Sequence, residues 1–139
     1  MLEHLLGVNW VRIWLQASCK SWERLHSFSY EQDFRILRCD GFAAIKNTFT
    51  GQFRFLFVEM DRGTNDFDKV KRYGKLFKEG GYSSSWWVNL TERFPPVLIA
   101  TTTPRRSEQI RERVDAENAN ELEFKVLLLE DIKSELHDT

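Results

Sequence analysis

Residues 53–73 read Phe-Arg-Phe-Leu-Phe-Val-Glu-Met-Asp-Arg-Gly-Thr-Asn-Asp-Phe-Asp-Lys-Val-Lys-Arg-Tyr. Six of the first eight residues are apolar, and the Gly-Thr-Asn run that follows is typical of a turn. This pattern predicts a largely buried strand that ends near Asp61. Because side chains alternate along a strand, Glu59 and Asp61 project from one face of it. The sequence therefore places two carboxylates at the carboxyl end of a hydrophobic strand, where open α/β sheets tend to bind ligands.

A helix is expected directly after this turn. Thr64 or Asn65 is suited to cap its first turn, and the acids at positions 66 and 68 suit the positive end of its dipole. The apolar residues that recur at helical spacing are Phe67, Val70, Tyr73 and Phe77. Lys69 and Tyr73 are four residues apart and share a face. Lys69 is therefore expected on the first helical turns, facing back toward the acids.

The rest of the chain supplies the other elements of an α/β fold. In chain order, we predict a helix at 9–20, a loop or short edge strand at 27–33, a strand at 35–45, a hairpin loop at 46–51, a buried strand at 97–102, a charged helix from Thr103 to about Asn118, a strand at 122–129 and a frayed acidic tail at 130–139. The hairpin makes its two strands antiparallel, and the crossover through the central helix makes the next strand parallel. The expected architecture is a mixed central β-sheet flanked by helices.

The composition indicates one soluble domain spanning residues 1–139, with 42% apolar and 29% charged residues. No apolar run approaches the ~20 residues that span a bilayer, and the first residues lack the features of a signal peptide. We therefore expect a cytoplasmic protein without a membrane partner. The two cysteines, Cys19 and Cys39, lack metal-ligand spacing and are interpreted as buried reduced thiols.

The charged residues give a mixed indication about nucleic acid. A net charge of −1 counts against a protein that coats DNA non-specifically. Cations nevertheless gather on two segments, and the candidate DNA contacts among them are Lys71, Arg72, Lys75, Arg105 and Arg106. The alternative is that these residues form the solvated faces of two helices.

A third acid, Asp40, lies within the apolar strand predicted at 35–45. Adjacent strands are ~4.8 Å apart. If Asp40 pairs near Glu59, the carboxylates of Asp40, Glu59 and Asp61 converge in one place. Such a cluster suits Mg²⁺, which prefers carboxylate oxygens. The alternative is that Glu59 and Asp61 cap the turn and pair with Arg62 or Lys69. Glu23 either projects toward the acids from the first helix or is one more surface acid.

With these residues laid out, the chain resembles the replication-relaxation family of plasmids and related mobile elements. The matching residues are Leu2-Glu3-His4, Val8-Asn9, Trp22-Glu23, Cys39-Asp40-Gly41, the run Phe57-Val58-Glu59-Met60-Asp61-Arg62-Gly63-Thr64, Lys69 and Tyr73. The resemblance implies a role in plasmid replication and DNA relaxation, with DNA and plasmid replication proteins as partners. Family members usually carry a winged-helix DNA-binding segment upstream, and this chain is expected to begin after it.

The order of elements also looks like the restriction-endonuclease-like fold, whose nucleases place an Asp on one strand and Glu-x-Lys on the next. Asp40 stands at the Asp position, Glu59 at the Glu position and Asp61 where the lysine would be. The resemblance implies that Lys69 supplies the missing lysine, that Tyr73 positions a phosphate oxygen, and that Glu23 is an auxiliary acid.

Three functions follow from these observations. In a Mg²⁺-dependent nuclease, the candidate metal ligands are Asp40 and Glu59, and the candidate catalytic residues are Asp40, Glu59, Asp61, Lys69 and Tyr73. In a non-catalytic or degenerate nuclease-like domain that acts on or with DNA, the same acids are structural, and the missing strand lysine favours this interpretation. The third possibility is a dimerisation or scaffold domain that uses Trp86, Trp87 and Phe94.

Overall fold

The computed structural model describes residues 2–137. In chain order, its elements are α1 (Leu2–Ala17), β1 (Glu23–Asp33), β2 (Arg38–Asn47), β3 (Phe53–Met60), α2 (Lys69–Glu79), a short 3-10 turn (Val88–Leu90), β4 (Val97–Thr101), α3 (Pro104–Glu117), β5 (Phe124–Leu128) and α4 (Leu129–His137). The strands form a sheet in the order β1-β2-β3-β4-β5. The first three are antiparallel, and β3, β4 and β5 are parallel. This confirms the predicted α/β architecture with a mixed sheet flanked by helices.

Both faces of the sheet are covered by helices. On one face, α2 and α3 pack on an aromatic core in which Trp87 stacks on Phe42 with 5.0 Å between ring centroids. On the other face, α1 and α4 pack on aliphatic residues such as Val58 and Ile132. Of the two tryptophans in the candidate dimerisation surface, Trp87 is thus a core residue, whereas Trp86 is 52% exposed. No helix within residues 2–137 is both long enough and apolar enough to cross a bilayer.

Several predicted boundaries are wrong, for reasons of tertiary structure. The first helix begins at Leu2 and ends at Ala17, and residues 27–33 belong to an 11-residue strand, β1. The strand predicted from residue 35 begins at Arg38, because Arg35 has a φ of 74° in the turn before it. The predicted frayed tail is helical over Leu129–His137, because Ile132 is buried against α1 and the sheet.

The predicted start of α2, near Thr64 or Asn65, is also wrong. The helix begins at Lys69, with Asp68 at its N-cap, and neither Thr64 nor Asn65 caps it. Residues 61–68 form an irregular loop instead. This loop is bound by α3, since Arg106 donates to the Asn65 carbonyl and Arg113 pairs with Asp66. The loop delivers Lys69 to the carboxyl end of β3.

Candidate functional site

Asp40 occupies the point where β2 and β3 separate. The last pair of the β2–β3 ladder is Gly41 with Val58, so Asp40 is the first residue of β2 beyond it. Its Oδ2 accepts a hydrogen bond from the Met60 backbone N–H at 2.8 Å. Its Oδ1 lies 2.9 Å from Nε2 of His4, in the first turn of α1. The Asp40 carboxylate thus replaces a strand pairing partner on one side and reaches a histidine on the other.

Glu59 lies on β3 beside Asp40, and its carboxyl group is enclosed. Lys69 donates to one carboxyl oxygen and Tyr73 donates to the other. Lys69 also donates to the Arg38 carbonyl at 2.9 Å. Both donors come from the same face of α2, as expected for residues four apart in a helix. With only 1% of the residue exposed, Glu59 is a buried acid whose oxygens both have partners.

Burial sets the protonation of this cluster. Burial raises the pKa of Glu59 to about 8; the Lys69 charge opposes this increase and the Asp40 charge adds to it. For Lys69, burial alone would lower the pKa, but the Glu59 and Asp40 charges outweigh it and raise the pKa. Burial, followed by the Glu59 charge, raises the pKa of Tyr73 well above its usual range. Lys69 therefore stays charged and Tyr73 stays protonated at neutral pH.

Asp61 is directed away from these residues toward α3. It accepts two hydrogen bonds from the Arg106 guanidinium, at 2.8 and 3.0 Å, and one from the Thr101 hydroxyl at 2.7 Å. Burial would raise the pKa of Asp61, but the hydrogen bonds from Arg106 and Thr101 outweigh it and lower the pKa. Asp61 is thus bound to an arginine and does not take the place of the strand lysine.

The expected convergence of three carboxylates is not observed. Within residues 2–137, no group of three or more His, Cys, Asp or Glu side chains is placed to hold a metal ion. The predicted Mg²⁺ ligands Asp40 and Glu59 lie on the neighbouring strands β2 and β3. Both Glu59 oxygens accept hydrogen bonds, one from Lys69 and one from Tyr73, and the residue is only 1% exposed.

Glu23 does not belong to this site. It begins β1 opposite Asn47 and pairs with Arg54, with 2.9 Å between Arg54 Nε and Glu23 Oε2. Asp40 lies seven residues before Asn47 on β2, which is about 23 Å at ~3.3 Å per residue. The prediction that Glu23 projects from the first helix toward the acids is therefore wrong, because this residue starts a strand at the opposite end of the sheet.

Four of the five candidate DNA contacts are exposed, and the fifth, Arg106, is largely buried. Lys71, Arg72, Lys75 and Arg105 are exposed. Lys71 is 3.8 Å from Glu117, and Arg72 pairs with Asp68 one turn before it. Arg106 is only 16% exposed, and its guanidinium is bound to Asp61. It supports the loop and is not available as a surface cation.

His4 is the site residue that the sequence analysis did not assign. The sequence feature that could have identified His4 is its place in the Leu2-Glu3-His4 run, which carries part of the family resemblance. No periodicity in the sequence links this run to Asp40. The same turn of α1 makes a second contact, since Glu3 pairs with Arg62 in the loop after β3. Cys39 lies beneath the site, fully buried, and burial raises the pKa of its thiol to about 12.

Comparisons with family models, with curated proteins and with solved structures give no match to this chain.

Proposed function

We propose that this chain is a DNA-associated domain of the replication-relaxation type, with a restriction-endonuclease-like core whose acid cluster is closed and non-catalytic. The core is supported by the order of α1, three antiparallel strands, α2 and the parallel strand β4. It is supported further by an Asp on β2, a Glu on β3 and a lysine from the following helix. The biological setting, replication of a plasmid or mobile element, rests on the sequence resemblance.

The observation that carries the proposal is the division of α2 into two faces. Its inner face holds Lys69 and Tyr73 on Glu59, together with the buried residues of the core. Its outer face exposes Lys71, Arg72, Lys75 and Lys78. A row of cations on one helix is suited to phosphate groups along a nucleic-acid backbone. The same helix thus closes the acid cluster and presents positive charge, although the whole chain carries −1.

The closed arrangement of Glu59 supports a non-catalytic role. A carboxyl group that is 1% exposed, with a lysine on one oxygen and a tyrosine on the other, is a satisfied structural group. Cleavage of a phosphodiester would first require α2 to release it.

DNA binding is tested by the salt dependence of affinity for duplex DNA, measured by fluorescence anisotropy. Each phosphate contact contributes about 0.9 to the slope of log K against log salt, so the triple change Lys71→Ala, Arg72→Ala and Lys75→Ala should reduce the slope by about 2 to 3. The matched control removes the same charges from other elements: Lys20→Ala, Arg24→Ala and Lys125→Ala, all at exposed positions. A flat wild-type curve, or an equal loss in the control, would contradict the proposal.

The second candidate is a Mg²⁺-dependent nuclease that uses Asp40, Glu59 and Lys69. One observation favours it: the structure brings these three predicted residues together at the point where β2 and β3 separate. Nicking of supercoiled plasmid in Mg²⁺, compared between wild type and Glu59→Gln, tests this candidate. Nicking by the wild type that Glu59→Gln abolishes, with thermal stability retained, would replace the first proposal by the second.

A further inference from the structure

Trp86 is a large aromatic side chain that the fold holds in place and leaves half open to solvent. It is 52% exposed, although the neighbouring Trp87 is buried. The centroid of its ring lies 6.0 Å from that of Phe53 and 5.7 Å from that of Phe55, and the ring is nearly perpendicular to both. The Nζ of Lys46 lies 5.7 Å from the centre of the Phe53 ring, which places a cation beside this group. Packing against two rings therefore fixes the orientation of an indole that remains half exposed.

The segment that carries Trp86 lies beside α2 on the same face of the sheet. It follows this helix directly, since α2 ends at Glu79. Trp87 stacks on Phe42 of β2 and Trp86 packs on β3, so the segment covers these two strands. Phe42, Phe55 and the buried residues of α2 belong to one core. The exposed indole and the outer cations of α2 therefore lie on one side of the molecule.

The charge of this surface suits a nucleic acid. The outer face of α2 exposes Lys71, Arg72, Lys75 and Lys78, and the only acid in the helix is Glu79. Residues 80–91 contain no charged side chain, so no acid in this segment repels a phosphate group. Ser83 and Ser84 are exposed there, and their hydroxyl groups can donate to phosphate oxygens. Groups suited to phosphates and a ring suited to a base are thus adjacent along the chain.

We propose that Trp86 stacks on an unpaired base, so that the nucleic acid bound by this protein is single-stranded where it crosses residues 80–91. In a duplex, the faces of the bases are covered by their neighbours, whereas an unpaired base is free to stack on an aromatic side chain. The phosphates of the same strand lie along the outer cations of α2. The inference rests on the proposed association with DNA, and it adds the kind of strand that is bound.

The test compares two labelled oligonucleotides of the same length by fluorescence anisotropy, oligo-dT and a strand with the same backbone but no bases. Both strands carry the same phosphates, so the difference in affinity measures contacts with the bases. The wild type should bind oligo-dT about tenfold more tightly than the abasic strand, because the indole has a base to stack on only in the former. Equal affinities of the wild type for the two strands would overturn the inference.

Variants assign the difference to the indole. Trp86→Ala should remove the preference for oligo-dT, and Trp86→Tyr, which keeps an aromatic ring, should restore most of it. The matched control is Trp22→Ala, at a tryptophan that is 43% exposed and precedes β1, and it should keep the preference. An equal loss in Trp22→Ala, or a preference that survives in a folded Trp86→Ala, would overturn the inference. The comparison of the two strands in the wild type holds even if Trp86→Ala does not fold.

The outcomes separate this inference from the proposed function. A wild type that binds duplex DNA with a steep salt dependence but does not prefer oligo-dT would overturn the stacking and leave the association with DNA in place. A wild type that binds neither kind of DNA would overturn both. A dimer in sedimentation velocity that Trp86→Ala abolishes would assign the indole to a second copy of the chain, and would also overturn the inference.

Discussion

The buried Glu59 carboxyl group makes the stability of the protein depend on pH. Its pKa is raised to about 8 from an ordinary value of 4.5, so between these values the folded chain holds a proton that the unfolded chain has released. The stabilisation is fully present below pH 4.5 and is lost as the pH rises through 8. We expect the free energy of unfolding to fall between pH 5 and 8.5, because the folded chain must give up this proton as the pH rises. Urea titrations across this range measure the decrease.

Glu59→Gln removes the ionisable group at nearly constant shape. The free energy of unfolding of this variant should therefore change much less with pH than that of the wild type. The exposed Glu112→Gln is the matched control and should keep the wild-type slope. Asp61 does not confuse the measurement, because its pKa is lowered and its contribution is lost only as the pH falls into the acid range. An unchanged slope in Glu59→Gln would show that the carboxyl group is ionised in the folded protein at neutral pH.

The loop between β3 and α2 depends on a helix distant in sequence. Arg106 in α3 binds both oxygens of Asp61 and the carbonyl of Asn65, and its side chain is 16% exposed. Arg106→Gln leaves a largely buried carboxylate without its cation, which should cost about 3 kcal/mol in the free energy of unfolding. Arg106→Lys should recover only part of this, because lysine cannot bind both oxygens in the same plane. Hydrogen exchange over residues 62–68 should also become faster.

Arg105 is the matched control for this prediction. It precedes Arg106 in α3, is exposed, and makes no ion pair with the rest of residues 2–137. Arg105→Gln should change the free energy of unfolding by less than about 0.5 kcal/mol. Equal effects of the two changes would mean that loss of charge on α3, and not the contact with Asp61, causes the destabilisation.

These elements also explain what could be predicted from the sequence. Alternation along β3 and the four-residue spacing on α2 are local, so the meeting of Glu59, Lys69 and Tyr73 was predictable. The start of α2 was not, because several residues between 64 and 68 are suited to cap a helix and contacts from α3 fix the loop. The partner of Asp40 was not predictable either. His4 reaches it because α1 packs on this face of the sheet through Val8, Val11 and Leu15, and such packing between distant segments is not visible in the sequence.

The two cores on opposite faces of the sheet should unfold together. β2 contributes Phe42 to the core beneath α2 and α3 and Ala43 to the core beneath α1 and α4. β3 contributes Phe57 to the first and Val58 to the second. Loss of either core would therefore expose the strands that hold the other, which is the physical basis for the prediction of one domain. Leu76→Ala on one face and Ile132→Ala on the other, each at a fully buried position, should cost about 2 to 5 kcal/mol.

Calorimetry distinguishes one cooperative unit from two. At about 3 °C per kcal/mol for a chain of this size, each variant should lower the midpoint of a single transition by roughly 6 to 15 °C. The exposed changes Leu5→Ala in α1 and Leu90→Ala in the 3-10 turn are the controls, and each should shift the midpoint much less. Two transitions, with Leu76→Ala lowering one and Ile132→Ala the other, would mean that the sheet does not couple its faces. A single transition lowered by both variants would mean that the two cores unfold as one cooperative unit.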